Sequence, residues 1–153
     1  MSSHRVALAW SLGDGDFLAR RYDRAHELRF EGGLTVAGSA SPQIVPAPFS
    51  RSAAIDPEAA FTAALSACHM LWFLDHAVRA GLVVTAYRDA AEGTLGRNSS
   101  GKLAMTRVVL RPAATFGGAS PPARGEIEQL HHLAHESCFI ANSVTTEVVV
   151  EMA

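Results

Sequence analysis

The spacing of apolar positions changes several times along the chain. Residues 6–12 read as a short β run, followed by the polar, glycine-rich stretch Gly13-Asp14-Gly15-Asp16. Runs at 26–30 and 34–39 flank Glu31-Gly32-Gly33, which predicts a hairpin whose glycines take positive φ. Residues 39–52 hold three prolines and little periodicity, so they read as a connecting loop. Asp56-Pro57-Glu58 then supplies a helix start: Asp as N-cap, Pro at the first helical position, an acid in the first turn. The helix is predicted over 59–80, apolar nearly all round, and stops at Gly81. A helix that is apolar all round is expected to be buried all round.

Residues 82–89 and 103–112 read as two strands separated by a polar turn region at 97–101. In the second strand Met105, Arg107, Val109 and Arg111 share one face and Thr106, Val108 and Leu110 the other, a mixed alternation. A loop at 117–122 leads to a helix predicted over 122–137, with Ile127, Leu130, Leu133 and Ala134 at helical spacing. Residues 144–152 form a last strand rich in β-branched side chains. The order β-β-β-α-β-β-α-β points to one α+β domain over residues 1–153, without repeats or linkers.

Composition narrows the function classes. A chain of 153 residues with 48% hydrophobic and 18% charged residues suits one ordinary core, burying about two thirds of its unfolded surface. A formal net charge of -2 without basic runs argues against nucleic-acid or anionic-membrane partners. The first ten residues lack the charged n-region and long apolar stretch of a signal peptide. Asp75 and His76 interrupt the best apolar run well short of the roughly 18 residues a bilayer span needs. The expectation is a soluble, cytoplasmic protein, where a disulfide is transient and catalytic rather than structural.

Two cysteines, Cys68 and Cys138, are the only ones in the chain. Cys68 sits mid-helix, too far from the helix start for the dipole to favour a thiolate. An external cation is therefore needed, and Arg20, Arg21 and Arg24 in the first loop are the candidates. A buried arginine needs a carboxylate, for which Glu58 is a candidate. On a continuous helix, however, Glu58 and Cys68 are roughly 15 Å apart along the axis. The alternative is that both thiols are ordinary core residues, since a free Cys behaves as a small hydrophobe. A second alternative uses His131, His135 and Cys138, one turn apart on one face, as three ligands of a zinc ion in a non-enzymatic binding protein. His69 and His76 share a helix face and read as polar groups satisfied in a core or an interface. There is no Gly-x-Ser-x-Gly elbow, and Gly13-Asp14-Gly15 lacks the helix and lysine of a phosphate cradle.

Four segments together resemble the OsmC/Ohr family of thiol-dependent peroxidases, nearer its OsmC branch. They are Tyr22-Asp-Arg-Ala-His26, Ser39-Ala-Ser-Pro42, Asp56-Pro-Glu58 leading to Ala64-Leu-Ser-Ala-Cys-His-Met70, and His131-His-Leu-Ala-His-Glu-Ser-Cys-Phe-Ile-Ala-Asn-Ser143. The resemblance covers the whole chain. It implies an α+β fold with a long central helix and an intertwined homodimer with sites at the subunit interface, which would account for the distant Glu58. It further implies that Cys68 is the peroxidatic cysteine, Cys138 the resolving one, Glu58 the glutamate of the Pro-Glu motif and Arg24 the activating arginine, with Arg21 a close neighbour. The implied substrate is an organic hydroperoxide, the implied reductant a dithiol, typically lipoyl-linked, in oxidative-stress defence. No cofactor or metal is implied. Leu65, Met70, Leu71, Phe139 and Ile140 would suit an alkyl or acyl hydroperoxide, and would equally suit core packing.

Overall fold

The computed structural model describes residues 1–119 and 121–152; Ser120, inside the expected 117–122 loop, and Ala153 lie outside the described residues. The chain is α+β, and its first compact unit is Met1–Ala60, its second Phe61–Ala153.

In the first unit, β1 (Val6–Ala9), β2 (His26–Phe30) and β3 (Thr35–Gly38) form an antiparallel meander, with Val6 opposite Phe30 and His26 opposite Gly38. The β2–β3 turn is closed by Phe30 N–H donating to the Leu34 carbonyl at 2.9 Å. Gly32 and Gly33 take φ of +91° and +92°, as the hairpin required. β1 is shorter than the expected 6–12 run. Trp10 leaves the ladder to donate its indole N–H to the Asp23 carbonyl at 2.9 Å and packs against Phe17 and Tyr22. The chain returns beside β3 through Ser39 and Ile55.

Helix α1 spans Pro57–Arg79. Asp56 Oδ1 accepts from the Ala59 N–H at 2.7 Å, the predicted N-cap. Gly81, at φ +72°, follows the end of the helix. The expectation that α1 is buried all round fails. Only the stripe Leu65, His69, Phe73 and Ala77, spaced by four, is sealed, while Leu71 and Val78 are 61% and 74% exposed.

The second unit contains two more strands than the periodicity predicted. β4 (Val83–Asp89) pairs antiparallel with β7 (Pro112–Gly117), and β5 (Glu92–Arg97) pairs antiparallel with β6 (Leu103–Leu110). β8 (Glu147–Val150) joins β6 in parallel, placing Val148 opposite Val108. Gly93 and Gly96 kept β5, which lies before the expected 97–101 turn, from reading as a strand, and Pro112 at the start of β7 hid the second. Gly93 is required there: a Cβ would come within 2.3 Å of Thr62 Oγ1 and 2.5 Å of Met105 Cε.

Helix α2 spans Arg124–Ser137, two residues shorter at its start than the 122–137 expected. Glu126 folds back to accept the Ala123 N–H at 2.8 Å, which fixes that start. The core divides in two. Phe73, Ala77, Leu130 and Ala134 pack with Val84, Tyr87 and Phe116, while Leu65, Val108 and Leu110 pack with Ile140, Val148 and Val150. Sealing Leu65 and Phe73 stabilises the fold by roughly 1.5–3 kcal/mol each relative to exposure. Val108, Val109 and Leu110 are buried in succession, so the mixed alternation of this strand marks a segment covered on both faces.

Candidate functional site

Cys68 lies on α1, and Cys138 is the residue at which α2 ends. Both are free thiols, and their sulfurs are hydrogen-bonding neighbours. Their surroundings differ. Cys68 is half-buried; Cys138 is 2% exposed. Burial, reinforced by the hydrogen bond to Cys68, pushes the Cys138 thiol up to about 11, although the Ala141 N–H donates to its sulfur at 3.4 Å. Cys138 therefore stays an S–H at neutral pH.

A row of contacts seats the end of α2 on α1. Cys68, Trp72 and His76, spaced by four along α1, meet Cys138, Phe139 and Ser137. Trp72 packs edge-on against Phe139 at 5.3 Å, and His76 Nε2 shares a 2.9 Å hydrogen bond with Ser137 Oγ. On the neighbouring stripe, His69 Nε2 and His131 Nδ1 lie 3.0 Å apart, both rings buried and nearly coplanar, with Phe73 stacked on His131 at 4.4 Å. Burial drives His69 down to about 4, helped by repulsion from His131 and His135. Burial also drives His131 to about 4, against the attraction of Asp89. The pair is neutral at pH 7, one ring donating and the other accepting. Asp89 is itself held by the Ser66 hydroxyl and the Arg111 N–H.

The first unit holds the other candidates. Arg24 is half-buried, its guanidinium 3.8 Å above the Tyr22 ring, and its Nη1 donates to the Arg20 and Tyr22 carbonyls. Arg21 is exposed and pairs with Asp16 at 3.8 Å. Asp23, next to Arg24, is held below the usual carboxylate range by its hydrogen bond from Arg51. Glu58 is half-buried in the first turn of α1.

The structure thus brings Cys68 and Cys138 together and describes Arg24 and Glu58 in the other unit. The His131, His135 and Cys138 ligand set does not form: His131 is bonded to His69, and among the described residues no group of three or more His, Cys, Asp or Glu side chains is placed to hold a metal. The histidine pair joins residues 62 apart, and no local motif announces it. Of the apolar residues expected near Cys68, Leu65 is core, whereas Leu71 and Phe139 are exposed. No described helix is long and apolar enough to cross a membrane.

Comparisons with known proteins bear on the same residues. Residues 50–153 match the family model of OsmC-like proteins. A solved structure from Vibrio cholerae, an OsmC-like protein of unknown function, is 51% identical, with all of both chains covered and a TM-score of 0.97. An organic hydroperoxide resistance protein from Legionella pneumophila is 18% identical over 99% of this chain and 96% of that one, with a TM-score of 0.71. That of Bacillus subtilis is 16% identical over 99% and 98%, with a TM-score of 0.69. The two last show a shared fold. No curated protein matches the chain.

Proposed function

The chain belongs to the OsmC-like protein family, and on that footing we propose that it is a thiol-dependent peroxidase that reduces organic hydroperoxides in oxidative-stress defence. The observation that carries the proposal is the pair of neighbouring free thiols, one half-buried and one sealed. Cys138 keeps its proton, so Cys68 is assigned the attack. The Cys68 thiolate takes the distal oxygen of the peroxide, the O–O bond breaks, and the alcohol leaves with a proton. The Cys68 sulfenic acid then condenses with the Cys138 S–H, forming a disulfide and water. An external dithiol, for which a lipoyl-linked one is a candidate, reduces that disulfide and leaves as its own disulfide.

Arg24 is assigned to favour the thiolate and orient the peroxide, with Glu58 as its counter-charge. Both units serve one OsmC-like domain on this assignment. Exposed Phe139 against Trp72 supports an apolar substrate. The apolar side chains that β1 and the β2–β3 turn leave exposed, Val6, Leu8 and Leu34, support a homodimer. The absence of a described membrane-spanning helix is compatible with a cytoplasmic protein.

Cys68→Ser is expected to abolish consumption of tert-butyl or cumene hydroperoxide with a dithiol present, a loss of at least about a thousandfold. Cys138→Ser should leave one turnover and accumulate a sulfenic acid that dimedone traps. Sustained turnover by Cys68→Ser would sink the proposal. Mass spectrometry after mild oxidation should give an intrachain Cys68–Cys138 link.

A further inference from the structure

α2 and the last strand border a cleft of about 440 Å³, within the size range of small-molecule sites. Arg124, His131 and His135 line its helix side; Val148, Val150 and Met152 line its strand side. Glu128 also borders it, already accepting from Arg124 Nε at 3.0 Å, as does His132, which pairs with Glu136 at 3.5 Å. Neither cysteine is among the lining residues.

The polar floor of this cleft is His131, only 5% exposed. Where its proton sits follows from its partner. His69 Nδ1 is sealed from solvent and has no hydrogen-bond partner. A sealed N–H without an acceptor is rarer than a sealed lone pair without a donor, because the donor has a single proton to place and loses its whole bond. His69 therefore carries its proton on Nε2 and donates to His131 Nδ1 across the 3.0 Å contact. A neutral His131 then has its own proton on Nε2, the ring nitrogen left for the cleft.

We propose that this cleft binds a short aliphatic carboxylate, its head on the His131 Nε2–H beside Arg124 and His135 and its tail along Val148, Val150 and Met152. The head must be an acceptor because the floor presents a donor. It is a carboxylate because Arg124 gives Glu128 its Nε–H, and the remaining N–H donors of its guanidinium suit a second, charged acceptor. The tail is aliphatic because the strand wall offers no polar side chain. The site is separate from the peroxidase assignment and does not depend on it.

The test uses the full-length reduced protein with octanoate as probe and octanol as its uncharged control. Nitrogen-detected histidine spectra should show His131 protonated on Nε2 and bare on Nδ1. Octanoate should shift the His131 ring and the Val148 and Val150 methyls saturably, with a Kd on the order of 0.1–1 mM. Octanol should bind at least about tenfold more weakly. Met152→Asp and His135→Ala, both at partly exposed positions, should each weaken octanoate about tenfold with the circular dichroism unchanged. Cys68→Ser should bind like the wild type even if the peroxidase assignment fails. The proposal is overturned by a proton on His131 Nδ1, by equal binding of octanol and octanoate, by shifts that map to the thiols instead, or by no saturable shift up to about 10 mM.

Discussion

The described residues of 61–153 seal a run of large apolar side chains that includes Leu65, Phe73, Val108, Leu110 and Leu130, whereas among the described residues of the first unit the sealed positions are Gly38, Ser39 and Ser50. The first unit instead leaves Val6, Leu8, Leu18 and Leu34 exposed. One unit therefore carries its own core and holds both thiols on two clamped helices. The other has a hydrogen-bonded sheet whose apolar side chains lack cover within a single chain. Apolar surface of that kind marks association rather than an independent core. Chemistry placed on the second unit thus stands on rigid elements, and the arginine assigned to activate it stands on a loop.

The sharpest way to break this contrast is to open the core. Phe73→Ala should cost about 3–5 kcal/mol in urea unfolding, because the stripe around Phe73 cannot collapse onto the space it leaves. A loss under about 1 kcal/mol would mean that the second unit is not the stable one.

Acid probes the same core through its histidines. His69 and His131 both sit at about 4, below the ordinary 6.5. Above 6.5 neither the folded nor the unfolded chain protonates them, and full stability is present. Between 6.5 and 4 the unfolded chain takes up protons that the folded pair refuses, so stability falls; below about 4 the loss levels off. The total is up to roughly 3 kcal/mol for each ring, with His135 and Asp89 the other charges acting on the pair. The acid limb should flatten in a His69→Gln/His131→Leu double variant; an unchanged limb would assign it elsewhere.

The smallest expected effect sharpens the other half of the comparison. Leu8→Asp should change unfolding of a single chain by no more than about 0.5 kcal/mol. If a second copy covers β1, the same change should shift light scattering from dimer to monomer on dilution. A monomeric wild type would remove that cover.

What the sequence discloses follows the range of each interaction. The start of α1 was legible because Asp56 and Pro57 act within one turn, and the β2–β3 hairpin because Gly32 and Gly33 act within four residues. β5 was not legible, because Gly93 answers to Thr62 and Met105 and Gly96 to Thr106, a demand of close approach made by other elements that no local pattern shows. The exposed side of α1 was hidden for the same reason: apolar periodicity reports what a face can bury, not what arrives to cover it. Of the candidate site, Cys68 and Cys138 were legible as thiols, and the resemblance to a family assigned their roles. Their contact, and the His69–His131 bond beside it, depend on how two helices pack across more than sixty residues.

The neighbouring thiols have a consequence for how the protein withstands heat. A bond between Cys68 and Cys138 would close a loop of about 70 residues, and chain-entropy reasoning gives that closure a stabilisation on the order of 4 kcal/mol. Folding and oxidation would then favour one another by the same free energy, since the two equilibria share one thermodynamic cycle. A fold that holds the sulfurs together makes their bond harder to reduce than one in a slack chain. The redox history of a sample would accordingly be written in its melting temperature.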